Sequence, residues 1–189
     1  NQAQVNRRSG VTFASALRAI LRQDPDVIMV GEVRDEETVE LAIRAALTGH
    51  LVFSTIHTDD SAAGFTRLLN WGMEPFLITS TVKGILAQRL VRKLCKECRE
   101  KHMVEPSELE QFGLEVDEPM EFYKAVGCLS CRNTGYQGRV GLFELIRMNN
   151  QIADLVMDQK PGHVIREKAI ELGMFSLLHD GLIKAQRGD

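Results

Sequence analysis

Glu32 closes the stretch Asp24-Pro25-Asp26-Val27-Ile28-Met29-Val30-Gly31-Glu32, in which four apolar residues sit between a Pro turn and a Gly followed by an acid. Such a run reads as a buried parallel strand that delivers a carboxylate at its carboxyl end. Open α/β sheets bind ligands there, so Glu32 is placed where Mg²⁺, a terminal phosphate and an attacking water meet, as a Walker B acid is. A core strand ending in a solvated Glu is the plainer alternative. A second constellation is Leu51-Val52-Phe53-Ser54-Thr55-Ile56-His57-Thr58, a β-rich run that ends in hydroxyls and an imidazole. The third uses all four cysteines, as Cys95-Lys96-Glu97-Cys98 and Cys128-Leu129-Ser130-Cys131. Each C-x-x-C turn lets two thiolates share a tetrahedral metal, so Cys95, Cys98, Cys128 and Cys131 are read as zinc ligands, ahead of disulfides or an iron–sulfur cluster. Their separation is longer than in common zinc ribbons.

These groups need elements to position them. Val39, Ala42, Ile43, Ala46 and Leu47 recur at helical spacing behind Glu36 and Glu37, with Asp35 as N-cap and Gly49 as stop. Strand, crossover helix and strand make a βαβ unit whose right-handed connection brings Glu32 and Thr55 to Thr58 to one sheet edge. His50, after the helix-ending Gly, is open to a capping or a nucleotide role. Arg34 stands where it can bridge to phosphate or to a neighbouring subunit. Upstream, Thr12 is a good N-cap for a helix carrying Phe13, Ala16, Leu17, Ile20 and Leu21 on one stripe. Downstream, Ser61 is expected to cap a helix to about Asn70, and a further helix is expected from Phe76 to about Leu94. Glu105 to Pro119 reads as an acidic helix-loop insertion. The glycines from Gly135 to Gly141 read as turn chemistry beside the metal, and residues 149–189 as short helices burying Ile152, Leu155, Val156, Leu177, Leu178, Leu182 and Ile183.

With 189 residues, 44% hydrophobic and 26% charged, the chain can bury a real core, in the ordinary globular class. A formal net charge of -3 argues against a bulk nucleic-acid binder, and one Trp with two Tyr gives no stacking platform for single strands. Between Lys83 and Lys101 seven basic residues face two acidic ones, which reads as a solvated face or a contact for an anionic partner such as acidic lipid.

The blocks Gln4-Val5-Asn6, Gly10-Val11-Thr12-Phe13, Leu21-Arg22-Gln23-Asp24-Pro25-Asp26, Gly31-Glu32-Val33-Arg34-Asp35, Thr48-Gly49-His50-Leu51 and Ser54-Thr55-Ile56-His57-Thr58 together resemble the secretion ATPase superfamily. Within it the chain is most similar to the GspE/PilB branch, the type II secretion assembly ATPases and their type IV pilus-extension relatives. The resemblance implies an α/β, RecA-like P-loop ATPase core (part) over 1–94, a tetracysteine zinc subdomain over 95–146 and a C-terminal helical subdomain over 147–189. It places Glu32 in the Walker B motif and Gly49-His50 with Thr55 to Thr58 in the His box. Glu32 and His57 are then catalytic, and Glu32, Arg34, His50, Thr55, His57 and Thr58 nucleotide-binding. ATP, Mg²⁺ and Zn²⁺ are the implied cofactors. A homo-hexamer, peripheral at the cytoplasmic side of the inner membrane and docked to membrane-embedded assembly proteins, is the implied setting. No G-x-x-x-x-G-K-S/T phosphate loop occurs in the chain, nor does the acidic box that the family places between that loop and Gln4. The chain is therefore expected to be the carboxyl-terminal part of a longer ATPase and inactive alone. The rival class is a non-catalytic zinc-containing module that binds nucleic acid through the basic run.

Overall fold

Val27–Val30 (β1) and Leu51–Ser54 (β2) lie side by side in parallel register, Val27 opposite Leu51 and Val30 opposite Ser54, with Glu36–Leu47 (α2) as the crossover. The computed structural model describes residues 1–114 and 116–189; Glu115, in the acidic insertion, lies outside the described residues. Two compact units divide the chain, Asn1–Ala87 with Leu145–Met174, and Gln88–Glu144 with Phe175–Asp189. The division differs from the expected three segments. Helices Asn150–Met157 (α6) and Gly162–Glu171 (α7) fall with the first unit and Leu177–Arg187 (α8) with the second.

The first unit is built on the β1–β2 pair. Helix Phe13–Ile20 (α1) packs on α2, Ser61–Asn70 (α3) on α7, and Pro75–Thr81 (α4) on α2 and α6. Leu17, Ile28, Val30, Val39, Ile43, Phe65, Ile78, Ile152, Val156 and Ile165 form one contiguous core. Helix starts are fixed by side chains. Thr12 and Ser15 make a reciprocal capping box, Asp35 accepts from the Thr38 N–H at 2.8 Å and Asn149 from the Ile152 N–H at 3.0 Å. Each such cap is worth about 1 kcal/mol.

Three local expectations are corrected. β1 is not buried on both faces: Ile28 and Val30 are covered, but Val27 and Met29, which alternation puts on the opposite face, are 57% and 75% exposed. The cap of α3 is Asp60, whose carboxylate accepts from the Ala63 N–H at 2.7 Å, and Ser61 is the first helical residue. The helix expected from Phe76 to Leu94 ends at Thr81 and gives way to strand Gly84–Leu94 (β3), paired with Tyr136–Arg147 (β6). Hydroxyls of Thr79, Ser80 and Thr81 bond back to the carbonyls of Phe76, Phe76 and Leu77, which exhausts the short helix, and β-branched Val82 follows in extended conformation. Gly84 then lets two backbones approach: a Cβ there would stand 2.8 Å from the Ile146 carbonyl oxygen.

In the second unit, strands Glu100–Val104 (β4) and Met120–Lys124 (β5) pair antiparallel, and the acidic insertion between them carries the short helix Pro106–Glu110 (α5). Much of the basic run is engaged inside this unit. Arg92 lies 4.0 Å from the centre of the Tyr136 ring and Arg99 5.0 Å from that of Tyr123, while Lys93 pairs with Asp189 and Lys101 with Glu121, each at 2.9 Å. Helix α8 is held by acids rather than by a buried apolar face, and Leu178 is 41% exposed. The buried Glu144 carboxylate accepts from the Leu177 N–H at 3.2 Å, at the helix start where negative charge is favoured. Asp180 accepts from the Phe143 N–H at 2.8 Å and pairs with Lys184, which also donates to the Gly141 carbonyl at 2.8 Å. Burial pushes the Asp180 carboxyl up, but the Lys184 ammonium, the Phe143 N–H and Arg187 outweigh it and hold it below the ordinary 3.8.

Two outcomes follow. Gly84→Ala should lower the denaturant midpoint by the equivalent of about 1–3 kcal/mol, since either backbone or strand pairing must shift. Because the folded state depresses the Asp180 pKa, its contribution is present above the ordinary carboxylate range and lost as pH falls through the depressed value. Asp180→Asn should therefore destabilise at neutral pH, with the gap to wild type closing in melts run below pH 3.8.

Candidate functional site

The pairing of β1 with β2 continues one step past both strands, as the Val33 N–H donates to the Thr55 carbonyl at 3.0 Å. In extended chain alternate side chains face opposite ways. Val33 is buried and Ile56 packs against the core, so Glu32 and Arg34 on one segment, and Thr55 and His57 on the other, are directed away from it. There Arg34 Nε stands 2.5 Å and His57 Nε2 3.5 Å from the same oxygen, Glu32 Oε2. The Thr55 hydroxyl donates to the Gly31 carbonyl at 2.8 Å, tying the two strand ends together. Glu32, Arg34, Thr55 and His57 thus meet as the βαβ reading requires.

Two other candidates are placed differently. The Thr58 hydroxyl donates to the Asp60 carbonyl at 3.0 Å and belongs to the turn that starts α3. His50 precedes Leu51, at the amino end of β2, whereas Glu32 follows the carboxyl end of β1. Its Nδ1 lies 2.9 Å from the Ala45 carbonyl and 3.2 Å from the Thr48 hydroxyl. A carbonyl can only accept, so Nδ1 carries the proton and His50 closes the end of α2. The register puts His50 opposite Asp26, six residues before Glu32, which separates it from the carboxylate cluster by roughly 20 Å at 3.3 Å per residue.

The four cysteines converge in the second unit. Their sulfurs all lie within 4.8 Å of one another, with Cys95–Cys128 at 3.9 Å and both Cys98–Cys131 and Cys128–Cys131 at 3.8 Å. Tetrahedral zinc at about 2.3 Å from each thiolate would space its sulfurs about 3.8 Å apart, so the donor set fits that ion. Backbone N–H groups surround the sulfurs: Gly127 donates to Cys98 at 3.3 Å, and Cys128 and Gly135 to Cys131 at 3.2 and 3.3 Å. Burial, reinforced by the other thiols against the Gly127 N–H, pushes Cys98 up to about 12. At Cys131 burial also raises the value, but the N–H groups of Cys128 and Gly135 and the thiols of Cys128 and Cys98 bring it down to about 6. Four thiols this close release protons as one group, and a metal would replace those protons. Gly127 escaped the sequence reading, although it directly precedes a cysteine pair, whereas Gly135 is one of the glycines read as turn chemistry beside the metal. Both have positive φ, and a Cβ on Gly135 would stand 2.6 Å from the Ala125 Cβ.

Over residues 1–189 the chain matches the family model described as Type II/IV secretion system protein. It is 46% identical over 187 residues to the type II secretion system ATPase E of Vibrio cholerae, covering 99% of this chain and 37% of that protein. To the type IV pilus assembly ATPase PilB of Thermus thermophilus it is 47% identical over 190 residues, covering 100% of this chain and 21% of that one. The X-ray structure of the Legionella pneumophila ATPase DotB is similar at a TM-score of 0.63 and 25% identity, over 94% of this chain and 39% of that one. The crystal structure of the pilus retraction motor PilT with bound ADP is similar at 0.52 and 28%, over 89% and 42%. The mixed α/β fold is shared with both, and the chain spans well under half the length of each of these proteins.

Gly135→Ala, at positive φ and without room for a methyl, should loosen the cysteine cluster while sparing the first unit. The expected reading is faster reaction of the thiols with a thiol-specific reagent and an unchanged far-ultraviolet helix signal.

Proposed function

Because the chain belongs to the type II/IV secretion system protein family, we propose that it is the Walker B and His box portion of an ATP-hydrolysing motor that drives type II protein secretion. The carrying observation is the Glu32 carboxylate at the carboxyl end of a parallel strand, touched by Arg34 and His57, in a chain that matches the family model throughout. The strand pair is then part of a RecA-like core. Mg²⁺ and ATP would supply the electrophilic phosphate when bound, with Glu32 polarising water or holding the ion. His57 would report the state of the terminal phosphate to the sheet, and the Thr55 hydroxyl ties the two strand ends together. Type IV pilus extension is the second reading, favoured by the identity to the pilus assembly ATPase PilB.

The sulfur spacing supports zinc as the ion of Cys95, Cys98, Cys128 and Cys131. A hexameric ring at the cytoplasmic face of the inner membrane, acting with membrane-embedded assembly proteins, is the setting proposed by analogy with the relatives. Acidic lipid is a weaker proposal, since Arg92, Lys93, Arg99 and Lys101 are already engaged within their own unit. Nucleic acid is not proposed as a partner.

In the full-length protein Glu32→Gln should lower turnover about 10²–10⁴-fold while ATP still binds. Near-normal turnover would move the catalytic role elsewhere. Elemental analysis should find one zinc per chain, and chelation should loosen the segment around the cysteines while the first unit stays folded; a metal-free protein with mapped disulfides would refute the zinc site.

A further inference from the structure

The Glu32–Arg34 pair is unlike two other Arg–carboxylate pairs of its unit. Arg18–Glu37 and Arg44–Glu40 join groups that are all at least 45% exposed on helix surfaces. In the site pair the acid is covered, at 22% exposure, and the base is open, at 58%. One oxygen, Oε2, serves both Arg34 Nε at 2.5 Å and His57 Nε2 at 3.5 Å, and the imidazole is 83% exposed. Alternation fixes Glu32 and Arg34 on one side of the extended segment, since Val33 between them is buried. A guanidinium held this way neutralises the acid that the proposed chemistry needs. It also stands open to an anion of higher charge: phosphate oxygens bind a guanidinium in the same forked geometry as a carboxylate.

Resting on the Walker B reading of Glu32, we propose that Arg34 is a charge-exchange residue. Without nucleotide its guanidinium holds the Glu32 carboxylate. The terminal phosphate of a nucleoside triphosphate draws the guanidinium away and leaves the carboxylate to water and to His57. A diphosphate lacks the phosphate that competes, so the pair re-forms when only diphosphate is bound. Arg34 is a positioning residue in this scheme: it reports the terminal phosphate to the acid. Breaking the pair costs binding energy, so triphosphate affinity is set partly by Glu32 acting through Arg34, and the two residues must be coupled in binding.

The test is a double-mutant cycle on nucleotide affinity in the full-length protein, read with fluorescent ATP and ADP analogues in the presence of magnesium. Glu32→Gln frees Arg34 and should tighten ATP about 5–10-fold. Arg34→Gln should weaken ATP about tenfold and leave ADP within about twofold. In the double variant the tightening caused by Glu32→Gln should vanish, and Arg34→Lys should recover part of the ATP preference. If Glu32→Gln tightens ATP equally with and without Arg34, carboxylate and phosphate repel directly and the exchange is wrong. Equal weakening of ATP and ADP by Arg34→Gln would also overturn it. Hydrolysis by Glu32→Gln is measured alongside: retained turnover removes the Walker B reading itself, whereas lost turnover with no coupling in the cycle removes only the exchange.

Discussion

The hydrogen bond from the Val33 N–H to the Thr55 carbonyl is the constraint on which the candidate site depends. Two strands of four residues each would otherwise end at Val30 and Ser54 and let their polar continuations diverge. By carrying the pairing onward, this contact fixes the alternation of both segments. Val33 and Ile56 are committed to the core side, and Glu32, Arg34, Thr55 and His57 have no other side to take. The Thr55 hydroxyl on the Gly31 carbonyl locks the same junction from the side chain. A buried valine therefore positions the chemistry as directly as the charged groups do. Its burial, rather than the attraction between Glu32 and Arg34, decides where the pair can form.

The cysteine cluster obeys a similar logic with different materials. Its sulfurs come from two chain segments, and the β3–β6 pairing reaches no further than Cys95, whose N–H donates to the Gly135 carbonyl at 2.9 Å. The turns are made instead by Gly127 and Gly135 at positive φ, and by Arg132 and Asn133 in the left-handed region. Non-glycine residues at such φ values cost energy, so the cluster is a strained arrangement held by its surroundings. Backbone N–H groups aimed at Cys98 and Cys131 compensate, since they favour the thiolates that a tetrahedral ion requires.

What could be read from the chain follows from which signals are local. The meeting of Glu32 and His57 was legible because a β-rich run ends near each and a crossover helix joins the two runs, which brings such strand ends to one edge. Thr12 and Asp35 were legible as caps because each is the only strong capping residue at its helix start; Asp60 and Ser61 compete side by side, and the carboxylate wins. His50 was ambiguous because only the register of β1 on β2 reveals that it stands at the far end. The β3 segment misled because Leu86 and Leu90 fit a helical as well as an alternating period, and the decisive contact of Gly84 with the Ile146 carbonyl lies far away in sequence. β4 and β5 were hidden by charge, for Lys101, opposite Tyr123 in the register, reaches diagonally to Glu121, and neither charged residue looks like a strand residue alone. Nothing in the sequence around Glu144 marks it as the buried acid on which the start of α8 rests.

The stacking of Arg92 on Tyr136 and Arg99 on Tyr123 bears on how the second unit responds to ionic strength. Mobile ions screen exposed pairs such as Arg18–Glu37, whose side chains are both at least half open to water. A guanidinium laid against a ring keeps a contact that depends on close packing and desolvation as much as on net charge. Osmotic stress that raises internal salt would thus weaken the helix-surface pairs of the first unit sooner than the clasp formed by Arg99, Tyr123 and the carbonyl of Gly188.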